Sequence, residues 1–284
     1  MTAPAVIATP ATGATDHARP SGARVVAALV GRDLRRFFRA RSRVVGSVAQ
    51  PLLLWIVLGA GLGDSFRPGG AAGATVAMTG GYLSYFYPGT IVLTMLFTAI
   101  FSTISVIDDR HHGFLQAVLV APVSRSALVL GKTMGGVTIA LFQGIALLLL
   151  APLAGFPLGA MNLPLVLAAL LLAAIGFTAL GFAVAWWIDS SQGYHAIMSV
   201  ALIPLWMLSG AMFPATGGSA WMRGLMAANP MTYAMSAVRR GLHGGALPDC
   251  GLPAWSSASL ELGVSAAFAV VALFAATALC RRRA

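Results

Sequence analysis

Six stretches of this chain are long, apolar and free of Lys, Arg, Asp and Glu: Val44 to Gly63, Tyr82 to Ile107, Thr133 to Gly155, Pro164 to Ile188, Tyr194 to Phe213 and Leu262 to Cys280. A helix rising ~1.5 Å per residue needs roughly 20 apolar residues to cross ~30 Å of hydrocarbon, and each stretch meets that length. Only 9% of the 284 residues are charged, against roughly 25% in an ordinary soluble domain. Such a chain cannot coat a globular surface with polar groups. A soluble enzyme and a disordered protein are both excluded, and the expected fold class is an all-α integral membrane protein with six transmembrane helices.

The charges that remain carry the orientation. Placing the N-terminus in the cytoplasm puts Arg19 to Arg43, then Arg110, Arg125 and Lys132, then Arg281 to Arg283 on the inner side. Only Arg67, Arg223, Arg239 and Arg240 are left outside. By the positive-inside rule both termini are cytoplasmic. The formal net charge of +10 is then an address on a membrane surface, and nucleic acid is not expected as a partner.

Three regions follow. Residues 1–22, rich in Ala, Thr and Pro, read as a disordered cytoplasmic tail. Residues 23–43 form an amphipathic helix. On a helical wheel Arg24, Arg32, Arg35, Arg36, Arg39 and Arg43 share one arc, and Val26, Val30, Leu34, Phe37 and Phe38 lie opposite. A helix of this kind lies in the membrane interface, with Arg on lipid phosphates. Residues 44–284 are the six-helix transmembrane domain. Its segment from Pro214 to Glu261, broken by Gly and Pro, is expected to hold short re-entrant helices before the last span.

Catalytic and metal chemistry find little support. Gly131-Lys132-Thr133 resembles the end of a phosphate-binding P-loop, but the pattern needs glycine at position 126 and this chain has Ser126. Lys132 reads instead as a loop-to-helix transition at the membrane surface. Gly59, Gly61 and Gly63 end a span, and Gly135 and Gly136 lie near the start of another; both groups fit close helix packing better than a nucleotide loop. His111 and His112 are adjacent, with no third metal ligand nearby. His195 opens the fifth span as a packed end residue. Cys250 and Cys280 fall on opposite sides of the membrane, where no bond can join them. No pair of membrane carboxylates offers ion coupling, so the energy source is sought on another chain.

The loop after the second span stands out. It reads Asp108-Asp109-Arg110-His111-His112-Gly113-Phe114-Leu115-Gln116, continues through Leu119 to Pro122-Val123-Ser124-Arg125, and reaches Gly131-Lys132. Leu115, Val118, Leu119 and Pro122 have helical spacing, with Pro122 ending the helix at Ala121. This loop resembles that of type-2 ABC transporter permeases, particularly the daunorubicin/doxorubicin-resistance type. Further blocks extend the likeness in the same order: Gln50-Pro51, Ser209 to Pro214, and Asn229-Pro230-Met231-Thr232-Tyr233-Ala234 with Arg239 beyond. Gln116 departs from the family's usual Glu.

The resemblance implies a dimer of two permease copies, expected to be a homodimer, clamped by cytoplasmic ABC ATPase subunits. ATP and Mg would be used by that partner, with no cofactor bound by this chain. Asp108, Asp109, Gly113, Leu115, Gln116, Leu119, Pro122 and Arg125 would couple to the ATPase. Arg32, Arg35, Arg36, Phe37 and Arg39 would form the interface helix, and Pro214, Asn229, Pro230, Tyr233 and Arg239 the re-entrant region. The expected activity is export of a hydrophobic or amphiphilic drug or secondary metabolite across the cell membrane. Export of a lipid-linked glycan or polyol stays open, as does a membrane-embedded lipid-modifying enzyme built on Asp108, Asp109, His111 and His112. A scaffold that recruits an ATPase without transporting also stays open.

Overall fold

A computed structural model of the chain describes residues 21–62, 81–120, 123–212, 219–245 and 256–282. The tail up to residue 20, Pro122, Pro214 and Cys250 lie outside the described residues, as do the side chains of Arg43 and Leu119. Among the described residues every regular element is helical: α1 (Gly22–Arg39), α2 (Arg41–Leu62), α3 (Gly81–Ser102), α4 (Ile104–His111), α5 (Phe114–Val120), α6 (Arg125–Leu149), α7 (Leu163–Trp187), α8 (Ser191–Trp206), α9 (Ala220–Ala228), α10 (Pro230–Leu242) and α11 (Ala258–Arg282). Six helical segments are long and apolar enough to cross a membrane, one for each expected span.

The helix starts follow from local capping. Ser124, Asn162, Ser190 and Asn229 each accept a backbone N–H from the first turn of α6, α7, α8 and α10. These short polar side chains satisfy donors that a helix start leaves open. In Asn229-Pro230 the cap is followed by proline at the first helical position, where its missing N–H costs nothing. The Ser-Arg of the loop motif is thereby a helix start, and this corrects one expectation. Lys132 does not sit in the loop before a span beginning at Thr133; it lies inside α6, which begins at Arg125. With 25 residues, α6 is about 37 Å long, longer than the ~30 Å hydrocarbon layer. Lys132 stands seven residues from the start of that helix, about 10 Å along its axis.

The second span is broken near its C-terminal end. Thr103 interrupts the helix, and the Ile100 carbonyl there accepts from the Thr103 backbone N–H, the Thr103 hydroxyl and the Tyr194 hydroxyl of α8. This turn separates α3 from α4, which leads directly into the short helix α5. The core is built from α3, α6 and α7. Gly176 of α7 lets Phe268 of α11 approach so closely that a Cβ there would meet its ring at 2.6 Å. By contrast α2 is the least enclosed span, with 17% of its apolar window buried, so its outer face is left for lipid or another chain.

Helix α1 does not float free. Leu29, Asp33 and Phe37, one turn apart, are its buried positions, and α1 packs chiefly on α6. Gly131 provides the seat: a Cβ at that position would stand 2.7 Å from Leu29 Cδ1. Replacing Gly131 by Val should therefore lower stability by about 1–3 kcal/mol through overpacking. Gly31→Ala, which meets nothing within 4 Å, should leave it unchanged or slightly improved. Thermal unfolding of the two purified variants in detergent measures the contrast, and equal behaviour would count against this seat.

Candidate functional site

At the end of the helix bundle where α1 lies, six charged side chains from three helices meet. Arg32, Asp33 and Arg36 come from α1, Asp108 and Asp109 from α4, and Lys132 from α6. Lys132 Nζ lies 3.1 Å from Asp33 Oδ2 and 2.5 Å from Asp109 Oδ2. Its side chain is 1% exposed. Arg32 pairs with Asp109 and sits 3.2 Å from Asp33. Arg36 reaches Asp108 at 3.4 Å and Asp109 at 3.8 Å. Three cations face three carboxylates, so the cluster is neutral. An isolated buried ion would cost several kcal/mol, but a balanced and hydrogen-bonded set offsets much of that. The sequence places the groups for this: Asp33 and Leu29 lie four residues apart on one face of α1, and Lys132 adjoins Gly131 on α6.

The cluster extends to α5. The Arg32 guanidinium stands 3.9 Å above the Phe114 ring, a cation–π contact that ties α1 to the first residue of that helix. Leu115 is 2% exposed, so it faces its own chain. The outward side of α5 carries Gln116, Ala117 and Val120, with Val120 88% exposed. Gly113 takes φ 73° in the turn before α5, a left-handed conformation that favours glycine. Arg110 and His111 hold the α7–α8 turn, with Arg110 Nη1 2.6 Å from Asp189 Oδ1 and His111 Nε2 2.6 Å from the Asp189 carbonyl. His112 Nδ1 is 2.6 Å from the Asp108 carbonyl. Arg125, at the start of α6, donates to the Arg281 carbonyl.

The structure thus divides the residues expected to couple. Asp108 and Asp109 join Arg32 and Arg36 of the expected interface helix in one cluster. Arg35 and Arg39 stay exposed, Arg35 bonded to its own Gly31 carbonyl. Phe37 is buried, while Phe38 is exposed and set edge-on to Phe142. Asp33 was not legible as a member, although it is the only acidic residue between Asp16 and Asp64 and stands in a run of arginines. Lys132, the only lysine in the chain, was the other available signal.

At the opposite end of the bundle a second cluster holds the short helices. Arg240 grips Glu261 of α11 through Nε at 3.0 Å and Nη2 at 2.8 Å, and Ser236 and Ser256 donate to the same carboxylate. Glu261 is fully buried and lies within α11, one residue outside the expected sixth span. Arg239 lies over Tyr85 and donates to the Tyr85 and Gly210 carbonyls at 3.3 and 3.1 Å. It fastens the irregular turn Met207–Ala211 to α3. Asn229 donates to the Leu205 carbonyl at 2.7 Å, and Tyr233 to the Ala227 carbonyl at 2.9 Å. Near them burial lowers the His243 pKa from its ordinary value.

Between the two ends a cavity of about 770 Å³ opens among α1, α2, α3, α4, α6 and α8. Its walls are mainly apolar, with Leu53, Leu54, Val57, Leu93, Phe97 and Ile139. Uncharged polar residues interrupt them: Ser47, Gln50, Thr94, Thr98, Ser102, Ser105 and Gln143. His195 stacks on Phe101 with ring centres 4.5 Å apart. Asp33, Arg36 and Asp108 of the ion cluster also line this cavity. A space of this size and character fits a drug-sized amphiphile.

Comparison with known proteins agrees with this architecture. Residues 24–243 match the family described as ABC-2 type transporter. The chain is 26% identical over 211 residues to a putative transport permease, ycf38, of Cyanophora paradoxa, covering 72% of this chain and 70% of that one. It is equally identical over 216 residues to the ycf38 protein of Porphyra purpurea, covering 75% and 72%. It is also 26% identical over 194 residues to the daunorubicin resistance ABC transporter permease protein DrrB1 of Streptomyces coeruleorubidus, covering 66% and 68%.

Removing the ammonium at the centre of the ion cluster should be costly. Lys132→Met leaves Asp33 and Asp109 buried with fewer cations, and breaking a buried pair in this way costs about 3–5 kcal/mol. Adding Asp33→Asn and Asp109→Asn to that variant should recover part of the loss. The thermal stability of the three detergent-purified proteins, followed by size-exclusion recovery after heating, checks both statements.

Proposed function

We propose that this chain, which belongs to the ABC-2 type transporter family and forms the transmembrane subunit of an ABC transporter, moves an amphiphilic compound outward across the cell membrane. The family brings an ABC ATPase as partner. In this account the partner uses ATP and Mg, two copies of the chain pair in the membrane, and both termini face the cytoplasm. The compound enters the cavity among α1, α2, α3, α4, α6 and α8. Its mainly apolar walls favour a drug or secondary metabolite over a glycan, which would need a more polar passage. DrrB1, named for daunorubicin resistance, suggests a cargo of that kind.

One observation carries the proposal. Asp33, Arg36 and Asp108 belong to the ion cluster at the base of α4–α5 and also line the cavity. ATP-driven closure of the ATPase pair would move α5 through its exposed face of Gln116, Ala117 and Val120. Because α4 leads directly into α5, Asp108 and Asp109 move with it. Their partners Arg32 and Arg36 then draw α1, and the lining of the cavity shifts. No chemical step on this chain is needed; its residues transmit displacement.

Co-expression with an ABC ATPase encoded beside this chain should yield a stable complex whose hydrolysis is stimulated by its cargo. Within that complex, Val120→Glu should cut export by roughly tenfold or more, as truncation of an interface anchor does, while membrane insertion is unchanged. His111→Ala combined with His112→Ala should leave export largely intact. Failure of the purified chain to bind any such ATPase would overturn the proposal, and total loss of export in the double histidine variant would favour an enzymatic role.

A further inference from the structure

An ionisable side chain in a membrane span calls for a partner or a task. His195, near the start of α8, lines the cavity and stacks on Phe101 of α3 with ring centres 4.5 Å apart. Met198, Leu202 and Trp206 follow it at three, seven and eleven residues, so all four side chains lie along one face of the helix. Met198, Leu202 and Trp206 are buried, whereas His195 is exposed. Ile197 and Val200 are exposed on the opposite face. The exposure of His195 is therefore toward the cavity, on the side of α8 that packs inward, and it is not the packed end residue that its place in the sequence suggests.

Its ring nitrogens are also free. Ser47, Thr94, Thr98, Ser102 and Gln143 of the same lining are hydrogen-bonded within the chain. Neither nitrogen of His195 has a hydrogen-bond partner among the described residues. A neutral imidazole carries one N–H donor and one nitrogen acceptor. Phe97 stands edge-on to Phe101 at 5.5 Å and continues the aromatic wall.

We infer that His195 is a specificity-determining residue: with Phe101 it forms a platform for a flat aromatic cargo, and the edge of its ring hydrogen-bonds a hydroxyl on that cargo. A hydroxyl both donates and accepts, so it meets either ring nitrogen whichever one carries the proton. Cargo that fills the cavity displaces water from the imidazole, and cargo that returns no hydrogen bond loses affinity. A site of this kind discriminates against an analogue of the same shape that lacks the hydroxyl.

This inference rests on the exporter reading above. The test compares 2-hydroxyanthracene with 2-methylanthracene, flat molecules of matching size that differ in one hydroxyl. Both are applied to the permease–ATPase complex in lipid vesicles, and the concentration giving half-maximal stimulation of ATP hydrolysis is read. Wild type should respond to the hydroxylated compound at a concentration lower by roughly threefold to thirtyfold, the range of a hydrogen bond within a membrane. His195→Phe keeps an aromatic ring against Phe101 but has no ring nitrogen, and it should erase the preference. His195→Leu serves as the second variant if the first does not assemble. Phe101→Leu should weaken the response to both compounds and leave their ratio in place.

Equal potency in wild type overturns the inference, as does a preference that persists without His195. Loss of the preference in Phe101→Leu to the same degree would make it a matter of shape alone and also overturn the inference. A complex that assembles and hydrolyses ATP but responds to neither compound overturns this inference while leaving the exporter reading standing. Failure to assemble with any ATPase removes the exporter reading itself.

Discussion

The placement of one ammonium group organises the end of this protein where α1 lies. Lys132 lies seven residues into a transmembrane helix, where an unpaired charge would be intolerable, and two carboxylates from two other helices neutralise it. Asp33 can reach it only because Gly131 lets α1 settle against α6. Asp109 can reach it only because the second span breaks at Thr103 and continues as α4. The requirement to neutralise a single charge therefore fixes α1, α4 and α6 relative to one another. Weakly directional apolar packing would leave such an arrangement free to slide.

The spans are held differently at their two ends, and the difference bears on movement. At one end Arg239, Arg240 and Glu261 lock α10 to α3 and α11 with buried, multiply bonded pairs. At the other, Arg36 and Asp108 are partly exposed, so their bond can be exchanged at lower cost. Between them, among the described residues, α2 is attached at few polar points: the Trp55 indole donates to the Leu83 carbonyl, and the Gln143 amide donates to the Ser47 hydroxyl. A helix anchored so sparingly beside a cavity is the natural moving wall, which is the mechanical form an ATP-driven permease needs.

The sequence made much of this legible, and its failures have a common cause. Apolar length found all six spans, and the wheel angles found α1, because both depend on residues close together in the chain. The wheel grouped Arg32 and Arg36 with Arg35 and Arg39 but said nothing of what each would face; the first two turned to carboxylates 72 to 77 residues away. Lys132 looked like the remnant of a failed phosphate loop until Ser124 placed the helix start before it. Glu261 fell outside its span by hydropathy, since its partner Arg240 lies 21 residues earlier. Charges buried by distant partners leave no local pattern. Leu115 illustrates the same limit: its helical spacing was right, but only the fold decides which side of α5 faces inward.

The link between the moving loop and the cavity is the claim on which the functional account depends, and a charge exchange tests it most directly. Arg36→Asp and Asp108→Arg, made singly and together, can be compared by the amount of cargo exported per ATP hydrolysed in reconstituted vesicles. The account predicts that each single reversal lowers this ratio while hydrolysis continues, and that the double exchange restores it in good part, a coupling that only interacting sites display. Singles that export as efficiently as wild type, or a double variant no better than the sum of its parts, would contradict it.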